Sequence, residues 1–392
     1  MAEIYKLQGE INSFNSKEFE ETLLKYHEEH GELILDAEDL EYMSSSGIRA
    51  LVKLAKQQDE MRIDNVSDDM FSIFYSSGLT EIFTINRKMP VLTNDNWEVA
   101  GIGASGVVYK INNDTAIKVY NEGTKFEHVT QERELARQAF ISGVPTIIPD
   151  RNAMVDDKYA MIFELVNSSS LGDLLGTEPD NFDALMDDYV KMVKELHTIE
   201  DKRGYFPNLQ DLWLNTENMI REGLRPEDAD LILDIYKNSK RSRMLLHGDI
   251  HPGNVLISDG EMVLVDMACM STGPALLDII TVFRLPMYVR DVGNIETCEK
   301  SLGFKREMFD QFWDAFARRY FEVDDEDILA EIKKQMYGIT ALDFMFSINT
   351  LPPVGARRFY ERVGNGIMDK IIKPNADQIR KIFAEGKLDI DI

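Results

Sequence analysis

One ordered set of residues constrains this chain more than any bulk property. The run Leu246-His247-Gly248-Asp249-Ile250-His251-Pro252-Gly253-Asn254-Val255-Leu256-Ile257 sets Asp249 and Asn254 five residues apart, with a strand-like segment following. Twelve residues beyond Asn254, Val263-Leu264-Val265-Asp266 ends a second apolar strand in an acid. Upstream, Gly101-Ile102-Gly103-Ala104-Ser105-Gly106-Val107-Val108 has the spacing G-x-G-x-x-G-x-V, and Thr115-Ala116-Ile117-Lys118-Val119 carries one lysine among apolar neighbours. A dinucleotide-binding turn leads into a helix, whereas the β-branched run Val107–Ile111 continues as a strand, so these glycines predict a hairpin.

These residue types, in this order, suit phosphoryl transfer. That chemistry needs a carboxylate to orient and deprotonate the attacking hydroxyl, a cation on the phosphates, and oxygen ligands for magnesium. Asp249 fits the base, Asn254 and Asp266 fit Mg2+ ligands, and Lys118 fits a contact to the phosphates of ATP. The hairpin around Gly101, Gly103, Gly106 and Val108 would lie over the nucleotide. Glu134 is the expected partner that holds Lys118, with Glu132 as an equally acidic alternative.

The chain divides by pattern. Residues 1–88 alternate strand-like pieces (Glu3–Leu7, Leu33–Asp36, Arg62–Val66) with helix-like ones (Ser16–His30, Ser44–Gln58, Asp69–Ser76), which predicts a small α/β domain. A serine cluster, Ser44–Ser46, can cap the second helix. Asn86–Asn96 carries Pro90 and three asparagines, so residues 89–96 read as a linker; 97–166 are strand-rich and 167–392 mostly helical.

At its catalytic motifs the sequence resembles the aminoglycoside phosphotransferase and choline kinase family of kinase-fold enzymes. The motif is H-G-D where protein kinases have H-R-D, Asp266 is followed by Met267-Ala268, and Gly273-Pro274-Ala275-Leu276-Leu277-Asp278 is a looser variant of the family's G-x-P-x-x-D. The resemblance implies an α+β bilobal protein-kinase-like fold, a catalytic base at Asp249, and a hinge at Phe163–Val166 whose Glu164 and Val166 would meet adenine through backbone groups. His247 and His251 would shape the loop. It also implies a small-molecule hydroxyl as phosphate acceptor.

Residues 1–88 resemble a different family, the STAS domain of anti-sigma-factor antagonists. The match is carried by Leu33–Asp36 followed by Leu40-Glu41-Tyr42-Met43-Ser44-Ser45-Ser46-Gly47-Ile48-Arg49. It implies a regulatory or docking module, with Ser45 at the position such domains present for phosphorylation and Ser44 where many members have aspartate. A regulatory protein partner is then expected. Two other readings remain open: a signalling serine kinase, and a nucleotide-sensing regulator acting through protein binding.

Charge and composition narrow the partners. With 43 basic against 69 acidic residues the formal net charge is −26, which repels nucleic acid and anionic membrane. Met1–Glu10 lacks a signal-peptide pattern and no apolar run reaches spanning length, while two distant cysteines, Cys269 and Cys298, suit a reducing compartment. The expectation is a soluble cytoplasmic protein that binds neither nucleic acid nor membrane.

Overall fold

Parallel strands need crossover connections, and the N-terminal strands are joined by helical ones. In the computed structural model, which describes residues 2–58, 61–292, 295–347 and 360–390, β1 (Glu3–Ile11), β2 (Leu33–Met43), β3 (Arg62–Val66) and β4 (Thr84–Arg87) pair in parallel in that order. The connections run through α1 (Ser16–His30), α2 (Ser45–Leu54) and α3 (Asp68–Ser76). Leu23, Leu35, Leu51, Ile63 and Phe74 are fully buried between sheet and helices.

Two of the expected boundaries shift. β2 does not stop at Asp36 but runs to Met43, because Glu38, Asp39 and Glu41 point to solvent while Ala37, Leu40 and Met43 stay buried. The segment 89–96 is not bare linker: Val91–Leu92 forms β5, in parallel pairing with Met154 and Val155 of β9 (Pro149–Val155).

The chain forms two compact units, Met1–Asn96 with Arg151–Ala160, and Trp97–Asp150 with Met161–Ile392. In the second unit β6 (Glu98–Ile102), β7 (Gly106–Lys110) and β8 (Thr115–Tyr120) form an antiparallel meander, followed by α4 (Phe126–Ile141) and by the Met161–Glu164 end of β10 (Lys158–Glu164). Beyond residue 170 it is mainly helical, with long helices at Phe182–Leu196, Pro226–Lys237, Leu276–Phe283, Phe309–Phe321, Glu326–Ser347 and Ala376–Glu385. Aromatic pairs fill that core: Trp213 stacks on Tyr236 at 4.7 Å and Phe283 meets Trp313 edge-on at 4.6 Å. Among the described residues no helix is long and apolar enough to cross a membrane.

Candidate active site

A short hairpin brings Asn254 and Asp266 together. Strands Val255–Ser258 and Glu261–Leu264 pair antiparallel around Asp259-Gly260, both at positive φ (51° and 83°), a turn chemistry that favours a tight two-residue connection. Pairing of Val255 with Leu264 places the flanking residues opposite each other, and the Val265 N–H donates to the Asn254 carbonyl at 3.0 Å. Asp266 follows in the left-handed region, φ 63° and ψ 65°, an uncommon conformation for a residue with a side chain.

The loop before this hairpin is held amide by amide. Asp278, fully buried, accepts the N–H groups of His247 at 2.9 Å and Gly248 at 2.7 Å, and faces His197 Nε2 at 3.1 Å. The Ile250 N–H donates to Thr281 Oγ1 at 3.0 Å, and the Asp249 N–H to His247 Nδ1 at 3.2 Å. The Ile250 carbonyl accepts from the hydroxyl of buried Tyr189. His247 Nε2 faces the Val265 carbonyl at 3.0 Å, tying loop to hairpin, and His251 Nδ1 accepts from the Gly253 N–H at 3.2 Å. Gly248 adopts φ +79°, and a Cβ there would stand 2.5 Å from the Cys269 carbonyl oxygen. Such satisfaction of buried backbone groups fixes the loop before any ligand arrives.

Asp249 is thereby presented at the mouth of this loop. Its Oδ2 accepts from Asn254 Nδ2 at 3.2 Å and faces His251 at 3.6 Å, while its Oδ1 takes the Arg284 guanidinium at 2.9 Å. Arg284 is bound at its other nitrogen by Asp343, 3.2 Å away. Burial by itself would push the Asp249 pKa up; contact with His251 and the charges of His251, Arg284 and His247 outweigh it and hold the carboxyl well below the usual range. Neither Arg284 nor Asp343 belongs to any motif, and they lie 35 and 94 residues from Asp249 in sequence.

Lys118 reaches the same site from β8. Its Nζ lies 2.8 Å from Glu132 Oε1 and 3.2 Å from Asp266 Oδ1, with the lysine side chain 9% exposed and that of Glu132 6%. Burial opposes the lysine's charge, but Asp266 and Glu132 outweigh it and raise its pKa. The partner is therefore Glu132 and not Glu134, which is exposed and accepts from Gln138 at 2.6 Å. Helical phase explains this: Val129, Glu132, Leu135, Ala136 and Ala139 form the buried face of α4, and Glu134 lies off it. That periodicity is legible in the sequence and would have distinguished the two acids. Tyr120 fixes the other Glu132 oxygen, donating at 2.9 Å.

The glycine-rich segment is a hairpin turn, closed by Gly103 N–H donating to the Gly106 carbonyl at 2.9 Å. Gly101 lies at the end of β6, and Val108 pairs in register with Lys118. Gly106 admits no side chain, since a Cβ would sit 2.2 Å from the Val119 carbonyl oxygen. Glu164 ends β10 with its side chain in solvent; Val166, two residues on, is half-buried. Leu165 between them donates to the Asp114 carbonyl at 3.0 Å, which anchors this segment beside the β7–β8 turn.

The donor set fits magnesium. Asn254 spends its amide nitrogen on the Asp249 carbonyl and carboxylate (2.9 and 3.2 Å), so its side-chain oxygen is the atom that could take a cation, with the Asp266 carboxylate as a second oxygen donor. Two hard oxygen ligands completed by phosphate and water are how Mg2+ is usually held. Among the described residues no group of three His, Cys, Asp or Glu side chains could hold a metal unaided.

In the first unit, Ser45 is exposed at the first position of α2. The cap is Ser44, whose Oγ accepts from the Gly47 N–H at 3.4 Å.

Comparison with known proteins finds two family matches along the chain. Residues 2–90 match the STAS domain, and residues 96–327 match the phosphotransferase enzyme family. Among solved structures the chain is similar to an aminoglycoside-3'-phosphotransferase of type VIII (18% identity, 63% of this chain and 92% of that one, TM-score 0.43). It is also similar to the ADP-bound aminoglycoside phosphotransferase APH(2'')-Ib (17%, 81% and 99%, 0.44). A third is a choline/ethanolamine kinase family protein from Mesorhizobium loti (12%, 74% and 92%, 0.42). No curated protein matches the chain. With more than half its length in the matched segment and an N-terminal STAS domain ahead of it, the chain belongs to the phosphotransferase enzyme family and is an enzyme of the kinase type.

Proposed function

We propose that the protein transfers the γ-phosphate of ATP to a hydroxyl group of a small molecule, with Asp249 as catalytic base. The observation that carries this reading is the convergence of Lys118 on Asp266, 3.2 Å apart across 148 residues of sequence, next to the Asp249–Asn254 pair. Lys118, held by Glu132, would bind the α- and β-phosphates under the Gly101–Gly106 turn. The backbone at Glu164 and Val166 would meet the adenine. Asn254 and Asp266 would hold Mg2+, which supplies charge neutralisation for the phosphates and the transferring group. Asp249 would accept the hydroxyl proton of the acceptor. Its low pKa keeps it ionised, which suits orientation of the nucleophile in a loose transition state more than strong proton abstraction.

The STAS domain is read as a regulatory or docking module for a protein partner. A phosphate on Ser45 would lie at the positive end of α2, near its free N–H groups, and add about two negative charges to that surface.

The deciding experiment pairs the wild type with Asp249→Asn. ADP formation from Mg2+ and ATP, screened against hydroxyl-bearing acceptors, should vanish in the variant while ATP affinity stays within about threefold. Transfer at the wild-type rate by Asp249→Asn would refute the assignment.

A further inference from the structure

We propose that Arg284 is a positioning residue that fixes the Asp249 carboxylate, and that Asp343 acts through Arg284; the proposal rests on Asp249 being the catalytic base.

The argument begins with one helical stripe. Asp278, Thr281 and Arg284 are spaced three apart, so they share a face of the Leu276–Phe283 helix and its continuation. Each takes a different part of the same loop. Asp278 binds the amides of His247 and Gly248, Thr281 binds the amide of Ile250, and Arg284 binds the side chain between them at 2.9 Å. The stripe thus sets the loop backbone and the orientation of its functional carboxylate together. The helix widens into π-type turns over Arg284–Val289, where Pro286 lacks the N–H that would continue an α-helix, and such turns recur at functional sites.

Arg284 is itself held from behind. Its Nη1 binds Asp343 on the Glu326–Ser347 helix at 3.2 Å, and the three side chains Asp249, Arg284 and Asp343 are 33%, 20% and 15% exposed. A half-buried guanidinium held between two carboxylates is restricted in orientation. It also offsets the repulsion between those carboxylates, and a lysine could not span both with the same geometry. Each oxygen of Asp249 is engaged by a different element: Oδ1 by Arg284, Oδ2 by Asn254 of the loop.

The test measures ADP release from Mg2+ and ATP with water as acceptor, for wild type, Arg284→Met, Arg284→Lys, Asp343→Asn, the Arg284→Met/Asp343→Asn double variant and Asp249→Asn. Arg284→Met should lose roughly 10–100-fold in kcat, with KM for ATP within about twofold, as expected for a displaced catalytic group. Added guanidinium at millimolar concentration should restore part of the rate, whereas an alkylammonium of equal charge should not. Arg284→Lys should recover less than half of the loss. Asp343→Asn, which keeps the guanidinium and disturbs the fold less, should lose rate in the same direction, and the double variant should be no slower than Arg284→Met alone. Wild-type turnover by Arg284→Met, a loss indifferent to guanidinium, or losses that add in the double variant would each overturn the proposal. If Asp249→Asn is inactive while Arg284→Met is unimpaired, only the positioning role fails. If Asp249→Asn turns over normally, the base assignment itself fails, and the positioning role with it.

Discussion

Lys118 is bound by Glu132 at 2.8 Å, although Glu134 lies in the same helix two residues on. Removing Glu132 leaves buried Lys118 with Asp266 as a charged partner at 3.2 Å, so the cost falls below the about 3–5 kcal/mol of stranding a buried charge outright. Glu132→Gln should therefore lower both stability and ATP-dependent turnover, the latter by about tenfold or more. Glu134→Gln, on the solvent face, should change stability by less than about 0.5 kcal/mol and leave turnover unaltered. Parallel denaturation and ADP-release measurements on the two variants decide the matter; equal effects would contradict the helical phase of α4.

Asp278 should matter for stability as much as for rate. Asp278→Asn places an amide donor against the N–H groups of His247 and Gly248, and a loss of about 3–5 kcal/mol is expected. Trp97, Trp213 and Trp313 all lie in the second unit, so tryptophan fluorescence follows its unfolding alone.

The same residue predicts an acid limb. Burial would raise the Asp278 pKa, but hydrogen bonding to His197, the charges of His197 and His247, and the His247 amide bring it below the ordinary value; Tyr189 and Tyr320 also face it. A depressed folded-state pKa means stability fully present above the unfolded value, near 4, and lost as pH falls through the folded one. The unfolding midpoint should drop as pH is lowered below about 4, and this drop should shrink in Asp278→Asn. An unchanged acid limb in the variant would exclude Asp278 as its source.

Gly248 combines positive φ with a close approach to the Cys269 carbonyl. Gly248→Ala should cost about 2–4 kcal/mol from left-handed strain and overpacking together, and should depress kcat because the shift falls beside Asp249. Fluorescence-monitored denaturation and ADP release test both halves.

In the STAS domain, Ser44 and Ser45 should separate cleanly. Ser44→Ala removes the cap of α2 and should lower amide protection over Ser45–Leu54 by about 1 kcal/mol, whereas Ser45→Asp should raise it by about 0.3–1 kcal/mol through the helix dipole. Hydrogen exchange on the full chain reads both.

Much of the architecture is local enough to be written in the sequence. Ser16–His30 and Arg62–Val66 form the elements the sequence predicts, because apolar patterning acts within a few residues. The boundaries that moved depended on neighbours. β2 continues past its acids because β1 pairs alongside it as far as Ile11 with Met43, across two register shifts. β5 exists because Met154 and Val155 offer Val91 and Leu92 partners 63 residues away.

The candidate site divides the same way. The sequence by itself determined the order of glycine hairpin, strand lysine, Asp249, Asn254 and Asp266, and with it the reaction class, since motif spacing within one loop or hairpin is set by local backbone geometry. Tertiary structure alone decided that Asp278 carries the loop and that Arg284 and Asp343 stand behind Asp249. Those choices depend on packing between elements far apart in the chain. A charged residue in a helix looks the same in sequence whether it faces water or a buried carboxylate, and only the packed fold distinguishes the two.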